Sequence, residues 1–170
     1  MKLENILIRE YRLSDTKAIM QLFYDTVHEI NIADYTQKQV DAWAPKNMDY
    51  EVWHTRLQAK LPYVAEDNDE IVGFAELEAD GHIDCFYCHH KHQRKGLGSK
   101  LFNYLENSAK SQGIKRLYTE ASITAKPFFQ NQGFNVVREQ QVERRGGWVK
   151  KYVMEKYLSG LTQKLPKSLI

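Results

Sequence analysis

The chain has 170 residues, 42% of them hydrophobic and 27% charged, which fits one domain of ordinary composition with a core of its own. Its 24 basic and 22 acidic residues give a net charge of +2, without the basic excess of a general nucleic-acid binder. Two cysteines are too few for a disulfide scaffold, and no apolar run reaches the roughly 18 residues of a membrane span. Charged residues also interrupt the N-terminus where a signal peptide would be apolar. We therefore expect a cytoplasmic protein.

Hydrophobic periodicity in the first half of the chain predicts three helices and four strands. The helices cover 15–30, 37–44 and 50–60, and the strands cover 5–11, 63–66, 70–79 and 82–90. Ser14 or Asp15 caps the first helix and Thr36 caps the second. Asp80-Gly81 is the turn of a hairpin between the last two strands.

The clearest helix covers 96–112 and ends at Gly113. Downstream, the pattern predicts strands at 114–121, 134–143 and 148–158 and a short helix at 124–132. Hairpins pair strands antiparallel, whereas the helix at 96–112 connects strands that should be parallel neighbours. We therefore predict an α/β chain of the α+β type, with a mixed sheet and helices packed on it. One domain spans 1–158, and a C-terminal tail follows at 159–170.

The segment 85–92, Cys-Phe-Tyr-Cys-His-His-Lys-His, has the residue types of a metal or haem site. Side chains of a strand alternate between its faces, so Cys85 and Cys88 point in opposite directions and cannot share a metal or a disulfide. Cys88, His90 and His92 share one parity and could meet one metal if the strand continued that far. We predict no metal and treat the cysteines as packing residues. A metal or redox protein is kept as an alternative.

The segment 93–98, Gln-Arg-Lys-Gly-Leu-Gly, stands between a strand and an amphipathic helix. The first N–H groups of a helix have no partner within it and lie at the positive end of its dipole, which favours a phosphate. Gly96 and Gly98 lack the Cβ atoms that would block its approach. The P-loop and dinucleotide patterns each lack one required glycine here. The basic side chains that add positive charge are Arg94, Lys95 and Lys100.

In this context the chain resembles the GNAT superfamily of acetyl-CoA-dependent N-acetyltransferases over roughly residues 5–157. The segment QRKGLGSKLFNYLE (93–106) is similar to the family's pyrophosphate loop and the helix after it. The segment AKPFFQNQGF (125–134) is similar to the family's alanine, aromatic pair and Gly-Phe element. The resemblance implies the GNAT-like acyl-CoA N-acyltransferase fold, a mostly antiparallel sheet with helices on both faces. Its central parallel strands, here 82–90 and 115–121, splay apart.

The resemblance also implies acetyl-CoA as the cofactor. Its pantetheine arm would pair with backbone groups around Phe86, Tyr87 and Cys88, and an N–H near Tyr87 or Cys88 would bind the carbonyl oxygen. The implied activity is acetyl transfer to a primary amine, by direct attack in a ternary complex. The implied cofactor-binding residues are Phe86, Tyr87, Cys88, Gln93, Arg94, Lys95, Gly96, Leu97, Gly98, Ser99, Lys100, Lys126, Phe128 and Phe129.

The acceptor amine must lose a proton before it attacks. An alkylamine with a pKa of about 10 is neutral in only about one molecule per thousand at pH 7, a cost of roughly 4 kcal/mol, so a base would help. Glu120 is the first candidate because it lies near the end of the strand that lines the splay, and Asp84 is the second. His82 and Glu76 are further candidates, and each of the four could instead be a salt-bridged strand residue.

The sequence departs from the family where the proton donor is expected. Many members place a tyrosine where Phe129 stands and an asparagine where Ser122 stands. Because a phenyl ring cannot donate a proton, Tyr118, Ser122 and Tyr87 are the candidate donors, or the thiolate leaves unassisted. Cys88 as a covalent acyl carrier is another route. A catalytically weak CoA-binding sensor is the alternative function that Phe129 raises.

The acceptor is expected over the splayed strands, beneath the first helices. Aromatic residues are frequent in this region, which favours a small, partly apolar amine over an exposed protein tail. The candidate substrate-binding residues are Tyr24, His28, Tyr35 and Trp43. We expect neither nucleic acid nor a membrane as a partner, and a homodimer is left open.

Overall fold

The computed structural model describes residues 3–159, which contain seven strands and five α-helices. The strands are β1 (Leu7–Glu10), β2 (Tyr63–Asp67), β3 (Glu70–Leu77), β4 (Ile83–Cys88), β5 (Arg116–Ser122), β6 (Asn135–Arg144) and β7 (Gly147–Tyr157). The helices are α1 (Thr16–Glu29), α2 (Gln37–Trp43), α3 (Tyr50–Lys60), α4 (Leu97–Ser111) and α5 (Lys126–Asn131). The predicted tail at 159–170 lies, apart from Ser159, outside the described residues. Within residues 3–159 no helix is both long and apolar enough to cross a membrane.

The strands form two antiparallel sheets that meet at one short parallel contact. The first sheet has the order β1-β2-β3-β4 and the second the order β5-β7-β6. A single parallel bridge joins His82 to Tyr118 at the sheet junction. Next to it, Thr119 Oγ1 donates a hydrogen bond to the Ile83 carbonyl at 2.8 Å. No further pairing joins β4 to β5 in the described range, so the two strands diverge, and the predicted splayed parallel pair is confirmed.

Helices cover both faces of the first sheet, as predicted. Helix α1 packs on one face of β3 and α4 packs on the other, so almost every residue of β3 is buried. The core on the α1 side includes Ile19, Leu22, Val27, Leu57, Phe74 and Val149. The core on the α4 side includes Ile83, Leu101, Phe102, Leu105, Leu117 and Met154. Each such side chain contributes roughly 1.5–3 kcal/mol by leaving water, so the two cores hold the sheets at a defined angle.

Strand β4 contains one extra residue relative to β3. Leu77 pairs with Ile83 and Ala75 pairs with Phe86, so three steps along β4 match two steps along β3. Cys85, within this bulge, packs on the α1-side core, whereas Cys88, beyond it, packs beside Leu97 on the other face. The predicted opposite orientation of the two cysteines is confirmed, and both thiols are free.

Strand β4 ends at Cys88, two residues before the predicted end at position 90. His90–His92 form a 3-10 turn, so the alternation that would align Cys88, His90 and His92 stops. The condition under which these three residues could meet one metal, a strand that continues to position 92, is therefore not met. Helix α4 starts at Leu97 rather than at position 96, because Gly96 is its N-cap.

Candidate active site

A cavity of about 240 Å³ opens where β4 and β5 diverge. It runs from the start of α4 at one end to the face of α2 at the other. The residues from the sequence prediction that line it are Asp84, Phe86, Tyr87, Cys88, Gln93, Arg94, Gly96, Gly98, Ser99, Glu120, Ser122, Phe128, Phe129 and Trp43. The splay therefore gathers most of the predicted residues around one cleft.

The start of α4 presents free backbone donors to this cleft. Gly96, the N-cap, has φ +82° and supplies no side-chain cap, so the first N–H groups of the helix lack the usual partner. Arg94, two residues before the N-cap, also has a positive φ of +58°. A Cβ on Gly98 would stand 3.0 Å from the ring of Phe128, so the absence of a side chain keeps the cleft open beside these donors.

Four predicted cofactor residues lie away from the lining of the cleft. Leu97 is buried in the core beside Cys88. Lys100 donates hydrogen bonds from its ammonium to the carbonyls of Leu3 and Ile6, at 2.7 and 2.6 Å, so it fastens the N-terminal segment. Lys95 bonds to the Lys91 carbonyl within the loop. The fourth, Lys126, lies over the ring of Tyr152.

Aromatic rings form the inner wall of the cleft. Phe86 packs against Phe128 with ring centroids 5.1 Å apart and against Phe129 at 5.7 Å. Phe129 is 2% exposed, and its ring completes this wall without a proton to donate. The position of the family's tyrosine is therefore used here for packing.

The end of β4 is held by side chains from outside the strand. Gln93 Nε2 donates to the Cys88 carbonyl at 2.7 Å, and Thr26 Oγ1 donates to the same oxygen at 3.2 Å. Burial raises the pKa of the Cys88 thiol to about 12. A thiol that stays protonated is a poor nucleophile, which disfavours Cys88 as a covalent acyl carrier.

Glu120 lines the cleft from β5 and forms a pair with His82. Its carboxylate accepts a hydrogen bond from His82 Nε2 at 2.6 Å. Burial alone would lower the pKa of His82, but the hydrogen bond and the charge of Glu120 outweigh it, so the imidazole pKa is raised. His82, which does not line the cleft, therefore holds the carboxylate in position. The Glu120 side chain is 36% exposed and faces the cleft.

Asp84 faces Glu120 from β4 but is held by two cations. Its carboxylate lies 2.9 Å from Arg56 and 3.2 Å from Lys60, both on α3. Burial alone would raise the pKa of Asp84, but these cations outweigh it and the pKa is lowered. Arg56 also reaches Glu76 at 2.5 Å, and burial still raises the pKa of Glu76 to about 7. Glu76 is 0% exposed and does not line the cleft.

Ser122 lies in the cleft with its oxygen engaged as an acceptor. Its Oγ accepts from the Ala125 N–H at 2.9 Å and faces the Asn31 amide at 3.4 Å. The hydroxyl proton thus has no acceptor among residues 3–159 and can point into the cleft. The asparagine that the family often has at position 122 is absent, and Asn31 brings an amide to the same place. Asn31 lies in a turn after α1, and no pattern in the sequence marked it.

The two tyrosines predicted as proton donors differ in their surroundings. Tyr118 donates its hydroxyl to Asp80 at the closed end of the splay, which raises the Tyr118 pKa to about 12. Its hydroxyl does not line the cleft. Tyr87 lines the cleft, packs against Phe23, and has a pKa raised by burial.

Of the four predicted acceptor residues, only Trp43 lines the cleft. Tyr35 donates its hydroxyl to the Lys150 carbonyl at 2.7 Å and accepts from the Ile123 N–H at 2.8 Å, so it joins the helices to β7. His28 donates to the Ala44 carbonyl at 2.8 Å and stacks on Tyr24. These three residues fix α2 over the sheets, and the fixed helix carries Trp43.

Lys151 also lines the cleft and was missed by the sequence prediction. Its ammonium lies 4.8 Å from the centre of the Trp43 ring. Burial is the main cause, and nearby Arg144 a lesser one, of a lowered Lys151 pKa. A signal was present in the sequence, because Lys151 shares its strand parity with Val149 and Val153, which are both buried.

Two clusters in the described range have metal-ligand residue types. In the first, the Arg56 guanidinium contacts all three members, Glu76, Asp84 and Cys85, and takes the central position. In the second, His89 and His90 join Asp25, but their rings are stacked at 4.3 Å with 26° between the planes.

Comparison with known proteins agrees with this geometry. The sequence profile of the acetyltransferase (GNAT) domain matches residues 31–157. The chain is 33% identical to the uncharacterized N-acetyltransferase YafP of Escherichia coli K12 over 152 residues, which cover 89% of this chain and 96% of that protein.

Solved structures show the same fold. A GCN5-related N-acetyltransferase from Rhodopseudomonas palustris superposes with a TM-score of 0.87 at 28% identity, covering 93% of this chain and 99% of that one. PaiA N-acetyltransferase from Thermoplasma acidophilum, solved in complex with coenzyme A, superposes with a TM-score of 0.71 at 18% identity, covering 90% and 99%. With its splayed strands, its phosphate-type loop and these matches, the chain belongs to the GNAT family of acetyltransferases.

Proposed function

We propose that this protein transfers an acetyl group from acetyl-CoA to a primary amine of a small molecule, by direct attack in a ternary complex. The observation that carries the proposal is the continuity of one cleft. It leads from the uncapped start of α4 to the carboxylates of Glu120 and Asp84. An acetyl donor at one end and an amine at the other would meet between β4 and β5.

The residues present fit a CoA-type group. The N–H groups at the start of α4 would bind the pyrophosphate, with Gly98 leaving room and Arg94 adding charge. The aromatic wall around Phe86 suits the uncharged pantetheine arm. When bound, acetyl-CoA would supply an activated acyl carbon. The related PaiA structure contains coenzyme A, which supports this assignment.

The opposite end of the cleft provides groups that handle protons. Glu120 would accept the proton of the acceptor amine, directly or through a water, because its carboxylate is exposed to the cleft and oriented by His82. Asp84, held ionised by Arg56 and Lys60, would attract the ammonium form. Ser122 would donate a hydrogen bond toward the departing sulfur, in place of the tyrosine that Phe129 replaces.

Thermal unfolding with acetyl-CoA, paired with an assay for released CoA thiol, tests the proposal. A ligand present at 100 times its Kd stabilises the folded protein by about 2.7 kcal/mol, so we expect a clear rise in Tm. A panel of small primary amines should then release free CoA. Absence of a shift would contradict the proposal. A shift without thiol release from any amine would favour the CoA-binding sensor.

Two glycine variants test whether the rise in Tm comes from acetyl-CoA bound at the start of α4. Gly98→Val places side-chain atoms beside Phe128 in the cleft and should weaken acetyl-CoA binding at least tenfold. Gly113→Ala strains a residue with φ +75° at the other end of α4, where no atom of residues 3–159 lies within 4 Å of the added Cβ. It should lower the Tm of the free protein but keep the full shift with acetyl-CoA. Equal loss of the shift in both variants would argue against a phosphate site at the start of α4.

A further inference from the structure

Lys151 is placed to touch an acceptor rather than the CoA group. Strand β7 pairs Lys151 with Ser122 of β5, and residues directly opposite in an antiparallel pair share a face. Its ammonium therefore lies on the Ser122 and Glu120 side of the sheet, next to Trp43, whereas Arg94 and Gly96 line the cleft at the start of α4.

The charge on Lys151 has no counter-ion among residues 3–159. The two carboxylates at this end of the cleft each have one. Glu120 pairs with His82, and Asp84 pairs with Arg56 and Lys60. Lys151 makes neither a hydrogen bond nor an ion pair with any residue of the described range, and its contact is the Trp43 ring. A partly buried ammonium without a counter-ion is costly, so β7 carries a cation that no residue of 3–159 neutralises.

A ligand with an acid group would supply that partner. The CoA group offers no anion here, because its phosphates belong at the other end of the cleft and its pantetheine arm is uncharged. An acceptor amine would lie between Glu120 and Asp84, and a second group on the same molecule would reach Lys151. We infer that the acceptor is a small amino acid in the broad sense, with an amine to be acetylated and a carboxylate or similar acid group that Lys151 binds. This inference rests on the proposed function.

The charged form of Lys151 fits this role better than a neutral, proton-accepting form. An ammonium over the face of Trp43 is stabilised by the ring, whereas a neutral amine gains little from it. Burial and Arg144 lower the Lys151 pKa, while Glu120 and Asp84 act in the opposite direction. An arriving carboxylate would add the missing negative charge and hold the ammonium protonated.

Matched acceptors test the inference. The panel consists of aliphatic and aromatic amino acids with the amine α, β or γ to the carboxyl group, each beside its amide and its decarboxylated amine. At least one acid should have a KM ten times or more below that of its amide. The amide withdraws electrons from a neighbouring amine and makes it easier to deprotonate, so intrinsic reactivity favours the amide. A preference for the acid must then come from the protein.

Two lysine variants test whether Lys151 causes the preference for an acid over its amide. Lys151→Met should abolish it, by raising the KM of the acid at least tenfold while leaving that of the decarboxylated amine within threefold. Lys150→Met is the matched control, because Lys150 is the next residue on the strand and is paired with Glu139 on the opposite face. It should keep the wild-type preference.

Binding provides a readout that does not depend on turnover. With CoA saturating, calorimetric titration of the same acids and amides should show tighter binding of an acid to the wild type and loss of that difference in Lys151→Met. The inference is overturned if no acid of the panel is preferred to its amide, or if Lys151→Met keeps the preference. A failure of the proposed function looks different, because acetyl-CoA would then neither bind nor react with any amine.

Discussion

At the scale of single residues, Glu120 and Asp84 share one cleft but have different surroundings. Glu120 meets one imidazole and remains exposed to the cleft. Asp84 lies between two cations that lower its pKa. A carboxylate whose ionised form is stabilised in this way is a weaker proton acceptor. Because Asp84 has two cationic partners and Glu120 has one imidazole, we propose proton removal by Glu120 and attraction of a cation by Asp84.

The first prediction compares conservative variants of these carboxylates. Glu120→Gln keeps the shape of the side chain but removes its basicity, and should lower kcat about 100-fold or more. Asp84→Asn should act mainly by raising KM for the amine. Steady-state kinetics with thiol detection measures both, and acetyl-CoA binding should stay unchanged in both. A larger fall in kcat for Asp84→Asn than for Glu120→Gln would reverse the assignment.

The second prediction concerns the pH dependence of stability. The His82 pKa is raised in the folded protein above the value of about 6.5 expected when unfolded. Between these two values the folded state binds a proton that the unfolded chain releases, so stability falls as pH rises. The contribution of His82 to the free energy of unfolding is complete below about pH 6.5 and is lost as the pH rises through the pKa of His82 in the folded protein. Urea unfolding from pH 6 to 9 should show this slope in the wild type and a smaller slope in Glu120→Gln; equal slopes would mean that Glu120 does not raise the His82 pKa.

Glu120 and Asp84 could be predicted as site residues from the sequence, because both are carboxylates on strands that are predicted to be neighbours. Lys151 is predictable in principle, as a charged residue between Val149 and Val153 on a buried face, but the hairpin pattern alone does not show which cleft that face lines. Asn31 was not predictable. Its contact with Ser122 joins residues 91 positions apart, and only the tertiary fold brings the turn after α1 to the end of β5.

At the scale of elements, the Arg56 guanidinium of α3 bridges two strands of the first sheet. Arg56 bonds to Glu76 on β3 and to Asp84 on β4, across the bulge that gives β4 its extra residue. The elements themselves were predictable from periodicity and caps, as with Thr36, which forms a capping box with Gln39. The bulge in β4 could not be predicted, because a register shift depends on which residues of two strands pair. Periodicity along one strand does not contain that information.

The third prediction tests this attachment. Arg56→Met removes the counter-ion of a carboxylate that is 0% exposed, and breaking a buried pair from one side typically costs about 3–5 kcal/mol. Because the Glu76 pKa is about 7, the loss should be smaller at pH 5.5, where the group is protonated, than at pH 8. Urea unfolding at both values measures it.

A double variant serves as the control for this experiment. Arg56→Met with Glu76→Met replaces the ion pair by two apolar side chains and should recover most of the lost stability. A double variant no more stable than Arg56→Met at pH 8 would show that Glu76 is not the source of the cost.

At the scale of the whole molecule, the cleft exists because two sheets are held together at only one end. The bridge at His82 and Tyr118 closes the base, and separate cores on the two sides keep β4 and β5 from pairing further along. The sequence suggested this splay only through the likeness of two segments, 93–106 and 125–134, to a known family. Strand patterns alone predict pairing partners, not the point at which a pair separates.

The fourth prediction is the most direct test of the central claim, that acetyl-CoA binds between β4 and β5. Hydrogen exchange of backbone amides, measured with and without acetyl-CoA, reports on each strand separately. Amides at 85–88 and at 96–99 should exchange at least ten times more slowly with the ligand. Those of β6, an edge strand that pairs only with β7, should change little. Unchanged exchange at 85–88 together with protection at another surface would contradict the account.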